Sequence, residues 1–290
     1  MKTGRIIRVL SGFYTVYDGH EAIVCKARGK FRKTDLKPLV GDFCDFTYDG
    51  KNEGYIMSIH ERKNELIRPP VANIDQAFIV VSAKEPDFST ILLDRFLALV
   101  ENKNIDPIII VTKTDLVEDM TSLNTILNEY ISAGYKVYTT SKEDLTHHQE
   151  IMRLFKDKVS FFTGQSGVGK SSLLNQLVPD LELKTGVISN VLGRGKHTTR
   201  HVELFELFDG WVADTPGFSN LDLDMSDREL ATSYHDFKEL SQSCKFRGCL
   251  HKSEPGCKVK EAVEQNIISK DRYQHYLQFL EEISNKKGKY

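Results

Sequence analysis

The sequence predicts a multidomain α/β protein: a small N-terminal β-barrel, a central domain built around a phosphate loop, and a helical C-terminal part carrying a metal-ligand cluster. Three observations predict it. Residues 4–60 hold five short apolar stretches, cut by glycines at 4, 12, 19, 29, 41, 50 and 54. Residues 73–220 alternate continuous apolar runs with helical patterns around the octapeptide GQSGVGKS at 164–171. Residues 244–257 gather three cysteines and a histidine.

The barrel comes first. GRIIRVL, FYTVYDG, EAIVCKA, DFCDFTY and YIMSIH read as five strands with regular turn signals. Five strands in so short a span fit an OB-type barrel, and an SH3-like barrel would give much the same pattern. Arg68-Pro69-Pro70 reads as a linker closing a first domain at 1–68.

Strand and helix then alternate. IDQAFIVVSA and PIIIVTKTD are continuous apolar runs, as expected of strands buried on both faces. Helical spacing covers Ile91–Glu101 and Ser122–Ala133, with a strand at Tyr135–Thr139 and a short helix before Phe155. Val159–Thr163 is the strand feeding the phosphate loop, and Ser171–Leu177 is the helix after it. VELFELF and GWVADT read as a hairpin turning at Asp209-Gly210. This second domain is expected over 69–221, with its functional loops at strand C-termini.

The remainder, 222–290, is mostly helical. Ser226 followed by Glu229 has capping-box spacing. Tyr273, Tyr276, Leu277, Leu280 and Ile283 form a stripe on the last helix that reads as core packing.

Composition limits the function classes. A net charge of −2 excludes a protein that coats polyanions wholesale. The charge is uneven: residues 1–68 carry 13 basic and 9 acidic side chains, residues 69–220 carry 14 and 20. That asymmetry suits nucleic-acid contact by one part only. No segment reaches membrane-spanning length, and Lys2, Arg5 and Arg8 interrupt any signal-peptide core. Five cysteines without an export signal suggest a reducing, cytoplasmic location, with Cys25 and Cys44 as buried thiols in strands.

GQSGVGKS fits the phosphate-binding pattern G-x-x-x-x-G-K-[ST]. Gly164 and Gly169 permit a tight turn around phosphate. Backbone N–H groups along Gly164, Gln165, Ser166, Gly167, Val168 and Gly169, and on into Ser172, are expected to face the anion. Lys170 can reach the β- and γ-phosphates, and Ser171 can give an oxygen to Mg²⁺. Asp214-Thr215-Pro216-Gly217 ends the strand GWVADT. Asp214 is placed to hold Mg²⁺ and Gly217 to set its N–H on the γ-phosphate.

Thr112-Lys113-Thr114-Asp115 resembles the N-K-x-D motif that reads guanine. The Asp115 carboxylate is acceptor-only and matches the N1–H and N2–H₂ donors of guanine, whereas adenine would leave it unpaired. Lys113 can lay its stem over the base. Thr112 replaces the usual loop-bridging Asn, which predicts weaker nucleotide affinity. Ser141 stands where a backbone N–H would meet guanine O6. In an ordinary GTPase the phosphate loop precedes the guanine motif. Here the guanine motif comes first, which predicts a circularly permuted domain.

Residues 193–200, GRGKHTTR, occupy the switch position. Thr199, with Thr198 as second choice, is expected to complete Mg²⁺ coordination. The position of the water-orienting glutamine of Ras-like enzymes is Phe218 here, so either hydrolysis is slow alone, or another residue of the chain helps, or a partner supplies or orders the missing group. His197 is the candidate, since an imidazole can orient or deprotonate water near neutral pH.

Cys244, Cys249, His251 and Cys257 give C-x₄-C-x-H-x₅-C, a closed, structural Cys₃His zinc site. Lys245, Arg247 and Lys252 place positive charge around it. The basic loop 26–33, with Phe31 as its aromatic, is a second candidate for RNA contact.

GQSGVGKS, DTPG, GRGKHTT, the displaced TKTD and C-x₄-C-x-H-x₅-C together resemble the RsgA (YjeQ/YloQ) family along essentially the whole chain. The resemblance implies a bacterial GTPase of late small (30S) ribosomal subunit maturation, stimulated by that subunit. It implies an OB domain and a zinc domain that bind 16S rRNA, and a catalytic histidine falling on His197. Cofactors would be one structural Zn²⁺ and Mg²⁺ with GTP. Partners would be GTP and GDP, ppGpp-type alarmones and the small subunit, with the chain monomeric and no membrane involved. Two rivals stand beside this reading: a P-loop ATPase with a zinc module, against which Asp115 argues, and a non-catalytic RNA-binding scaffold.

Overall fold

The computed structural model describes residues 1–27, 31, 36–50, 53–67, 69–144, 146–178, 202–214 and 221–287. Strands β1 to β7 are Lys2–Leu10, Phe13–Tyr17, Ala22–Ala27, Phe43–Thr47, Gly54–Ile59, Glu65–Leu66 and Val71–Ala72. Strands β8 to β13 are Gln76–Ser82, Asp106–Thr112, Lys136–Thr139, Val159–Thr163, Glu203–Leu207 and Gly210–Asp214. Helices α1 to α4 are Thr90–Glu101, Thr121–Ser132, His148–Arg153 and Lys170–Leu177. Helices α5 to α8 are Asp227–Ala231, His235–Ser241, Lys258–Glu264 and Lys270–Lys287. No described helix is long and apolar enough to cross a membrane. The chain divides into two compact units.

The first unit takes in Met1–Gln76, His148–Phe162 and the described residues of Ser171–Ser219. Alternation along β1–β5 turns Ile6, Val16, Ile23, Cys25, Cys44, Phe46 and Ile56 inward, and Phe31 plugs the same core. The five strands close: β1 pairs β2 and β4, β2 pairs β3, β3 runs parallel to β5, and β5 pairs β4. That closure is the OB-type topology rather than the SH3-like one. Phe31 was expected on a basic surface loop; at 8% exposure it is a core residue, because its ring packs with the apolar side chains inside the barrel.

A bulge between Ile6 and Arg8 bends β1, and beyond it Arg8 pairs with Glu203 of β12. One strand thus serves the barrel and the hairpin β12–β13. In that hairpin Leu207 pairs with Gly210, so the turn is Phe208-Asp209, both at positive φ, one residue earlier than expected. Gly210 serves close approach instead: a Cβ there would sit 1.8 Å from the Phe155 carbonyl oxygen. Strand β13 runs parallel to β11.

The segment expected as a linker is pinned on both sides of Arg68. Arg62 grips the buried Asp42 carboxylate with two bonds of 2.7 and 2.8 Å. Asn64 and Ile74 exchange bonds of 2.8 and 2.9 Å, and Asn73 donates to the Gly41 carbonyl at 3.1 Å. Asparagine amides here satisfy backbone groups that the two-residue strands β6 and β7 cannot.

The second unit takes in Ala77–His147, Thr163–Lys170 and the described residues of Asn220–Tyr290. Its strands lie in the order β10-β9-β8, with β10 parallel to β9. Every residue of β8 is buried, which explains its unbroken apolar run. The C-terminal helices lock onto α1 and α2 through a buried cation. Arg272 bonds Asp236 at 2.6 Å, lies 3.5 Å from Asp94, and sits 5.3–5.5 Å from the ring centres of Tyr130, Tyr135 and Tyr234. Asp94 also takes bonds from Tyr130 at 3.1 Å and His275 at 2.6 Å. The predicted capping box at Ser226 is present, and Tyr273, Tyr276, Leu280 and Ile283 of the predicted stripe are buried, while Leu277 at its edge is half-buried.

Candidate nucleotide site and metal centre

Strand β11 delivers the chain into the phosphate loop. Gly164 takes φ +139°, and a Cβ there would lie 2.1 Å from the Val80 carbonyl oxygen, so no other residue fits. The loop closes at Gly169 against the Thr112 side chain, and α4 begins at Lys170. The Lys170 ammonium donates to the carbonyls of Gly164 at 2.8 Å and Gln165 at 2.7 Å. Burial lowers its pKa, leaving a partly desolvated cation at the loop.

Thr112 closes β9 with its side chain 5% exposed. Its hydroxyl donates to the Val168 carbonyl of the phosphate loop, and the Val81 carbonyl lies 3.2 Å away. The guanine motif is therefore tied to the phosphate loop by the residue that replaces asparagine. Lys113, in the left-handed region, donates from its ammonium to the Glu85 carbonyl. Thr114 reaches the Thr140 carbonyl from its hydroxyl at 3.3 Å, linking the motif to the next loop. There Ser141 is buried, and its oxygen accepts from the N–H groups of Glu143 and Asp144 at 3.2 and 3.0 Å. Asp115 stands exposed in the turn Thr114–Leu116, open to a ligand.

The C-terminal cluster is equally well defined. Ligand atoms of Cys244, Cys249, His251 and Cys257 all lie within 4.8 Å of one another. His251 Nδ1 is 3.3 Å from Cys257 Sγ and 3.8 Å from Cys244 Sγ. Tetrahedral zinc with ordinary Zn–S and Zn–N lengths needs separations of about 3.5–3.8 Å, so the donor set fits. His251 Nε2 lies 3.2 Å from the Ala231 carbonyl; donation there leaves Nδ1 as the free lone pair. Burial raises the Cys249 and Cys257 thiol pKa values, so a bound dication must displace their protons. The Tyr273 and Tyr276 hydroxyls hold the knuckle backbone, donating to His251 and Leu250 carbonyls at 2.6 Å each.

The RsgA GTPase family model matches residues 59–224, and that of the RsgA N-terminal domain matches residues 3–56. The chain belongs to the RsgA GTPase family. The small ribosomal subunit biogenesis GTPase RsgA 2 of Oceanobacillus iheyensis is 53% identical over the full length of both chains. RsgA of Bacillus subtilis is 52% identical, again over both full lengths. The crystal structure of YloQ, a circularly permuted GTPase, superposes with a TM-score of 0.84 at 48% identity, covering 99% of this chain and 96% of that one. The permuted order inferred from TKTD and GQSGVGKS is thus the family's architecture.

For this RsgA-family chain the second unit brings together Thr112, Lys113, Thr114, Asp115, Ser141 and the loop from Gly164 to Lys170. Ser171 and Ser172 stand on the first turn of α4. Asp214 ends β13 opposite Glu203. His197, Thr198, Thr199, Gly217 and Phe218 lie outside the described residues. Sequence reasoning missed the loop after β8, where the Glu85 carbonyl holds Lys113 and Pro86 approaches Gly167. The Glu-Pro dipeptide shortly after a buried strand was the local signal there.

Proposed function

We propose that this GTPase hydrolyses GTP during late maturation of the small (30S) ribosomal subunit and is stimulated by that subunit. Its relatives' name, small ribosomal subunit biogenesis GTPase, supports the reading. In this reading a GTPase domain at 69–221 stands between an rRNA-binding barrel at 1–68 and a zinc-binding part at 222–290 that also meets 16S rRNA. The chain acts as a cytoplasmic monomer, and ppGpp-type alarmones compete with GTP through the shared guanine and β-phosphate.

The observation that carries the nucleotide chemistry is the Thr112–Val168 bond, which joins the base reader to the phosphate loop. Asp115 accepts from the guanine edge, and Lys113 covers the base. Lys170 leaves the Gly164 and Gln165 carbonyls to meet the β- and γ-phosphates. Ser171, Thr199 and Asp214 would hold Mg²⁺, which when bound neutralises phosphate charge. Strands β11 and β13, parallel in one unit, carry their C-terminal ends in the same direction, as joint service by Ser171 and Asp214 requires. His197 orients or deprotonates the attacking water, the task for which Phe218 is unsuited. The zinc ligands fix the knuckle fold and take no part in hydrolysis.

Phosphate release from GTP, with an ATP control and with or without purified small subunits, tests this. Strong stimulation confined to GTP is expected. Equal slow release with and without subunits would remove the ribosomal role.

A further inference from the structure

The knuckle turn from Cys244 to Cys249 carries an aromatic ring into solvent. Phe246 is 46% exposed, with exposed Lys245 and Arg247 on either side. Both ends of the turn are sulfur ligands of the metal group. The Lys245 ammonium lies 5.6 Å from the centre of the Phe246 ring. The Lys245 stem packs so tightly on Gly256 that a Cβ there would be 3.1 Å away. Arg228 stands beside Gly248, and Lys252 is exposed on the same knuckle. The single carboxylate within 244–257 is Glu254. It is engaged by the N–H groups of Leu250, Lys252 and Ser253 at 2.7, 2.9 and 3.0 Å.

The patch therefore combines a flat apolar ring, a cation over it, a second cation next in sequence, further exposed basic side chains on the knuckle and a carboxylate already held by backbone. A partner must offer both negative charge and an aromatic face. An apolar protein groove lacks the charge, and a duplex hides its base faces in the stack. An unpaired nucleotide offers both. The barrel has an exposed row, Phe13, Lys26 and Tyr55, but there Lys26 is paired to Glu53 at 2.5 Å, which removes its charge from the account.

We propose that Phe246 is a stacking platform for one unpaired base of an RNA strand, with Lys245 and Arg247 on the flanking phosphates. The inference rests on the RNA-binding reading above and narrows it to single-stranded RNA at the knuckle turn. Because the turn is fixed at both ends, little conformational freedom is lost when a base stacks.

The test uses the full, metal-loaded chain and a labelled unstructured RNA of about 12 nucleotides, alone or annealed into a duplex. The single strand is expected to bind more tightly than the duplex. Phe246→Ala should weaken single-strand binding roughly tenfold, while Phe246→Trp restores it and shows indole quenching on RNA addition. Metal content and Tm should stay unchanged in both variants, since the ring is exposed. Lys245→Gln and Arg247→Gln should each flatten the salt dependence of binding. Wild-type affinity in Phe246→Ala, or a duplex that competes equally, overturns the inference. If that variant still binds small subunits normally, only the inference fails. A wild-type chain that binds neither RNA nor subunits removes the underlying reading as well.

Discussion

The Thr112 hydroxyl donates a hydrogen bond to the Val168 carbonyl, so the strand that runs into Thr112–Asp115 and the glycine loop 164–170 share one polar contact. Thr112→Val keeps the shape and removes the donor. The stranded carbonyl costs about 1–2 kcal/mol, which predicts GTP binding weakened by roughly five- to thirtyfold. Thr112→Ser should bind like the parent. Titration with a fluorescent GTP analogue decides, and equal affinity for Thr112→Val would show that the contact couples nothing.

Asp115 is exposed and acceptor-only, and in the proposed reading it sets the base preference. Asp115→Asn presents a donor where guanine also presents one, and suits xanthine, whose O2 is an acceptor. Preference should move from GTP to XTP by about tenfold or more. Competition between the two nucleotides in a turnover assay measures it; retained GTP preference would remove Asp115 from the base site.

The Cys₃His donor set predicts one zinc per chain by elemental analysis. Cys249→Ser or a strong chelator should remove it and lower Tm by several degrees. Acidification should release the metal as the thiolates are protonated. A chain that keeps its Tm without metal would show that Tyr273 and Tyr276 hold the knuckle alone.

Arg272 is 3% exposed between two carboxylates and three tyrosine rings. Arg272→Met leaves the buried Asp94 and the half-buried Asp236 without their cation, at a cost of about 3–5 kcal/mol. The expected outcome is a large drop in Tm by calorimetry. Restoration in a variant that also carries Asp236→Leu would assign the loss to the stranded charge, whereas an additive loss would assign it to packing.

Burial first of all, with Asp236 adding, pushes the Glu101 carboxyl up to about 8, against the opposing bond from Tyr135. Above its ordinary value the folded state holds a proton that the unfolded state has lost. Stability should therefore fall as pH rises from about 4.5 to 8, by at most about 1.4 kcal/mol per pH unit. Glu101→Gln should flatten that decline. Urea unfolding across this range tests it, and identical slopes for the two proteins would place the proton elsewhere.

Much of this was legible locally. Alternating apolar residues and glycine spacing marked all five barrel strands, and the cysteine spacing marked a cluster whose geometry fits zinc. What failed to show depends on residues far apart in sequence. Phe31 in a basic loop gives no hint that it fills the barrel, and Gly210 looked like a turn residue because nothing nearby announces the Phe155 carbonyl above it. Arg68-Pro69-Pro70 reads as punctuation, while the bonds made by Asn64 and Asn73 reach residues 10 and 32 positions away. Thr112 looked like a weakened asparagine, since its partner lies 56 residues on.

The bend in β1 has a consequence for anyone who would trim this molecule. Its first half belongs to the barrel and its far end lines β12 at Arg8 and Glu203, while Tyr17 sets its ring 5.4 Å from that of Trp211. A chain begun after residue 68 would strip β12 of that neighbour and uncover the lone tryptophan, giving an open strand edge eager for foreign pairing. Such a fragment should precipitate or self-associate. What looks like a detachable accessory is, in manufacture, part of the enzyme's own wall.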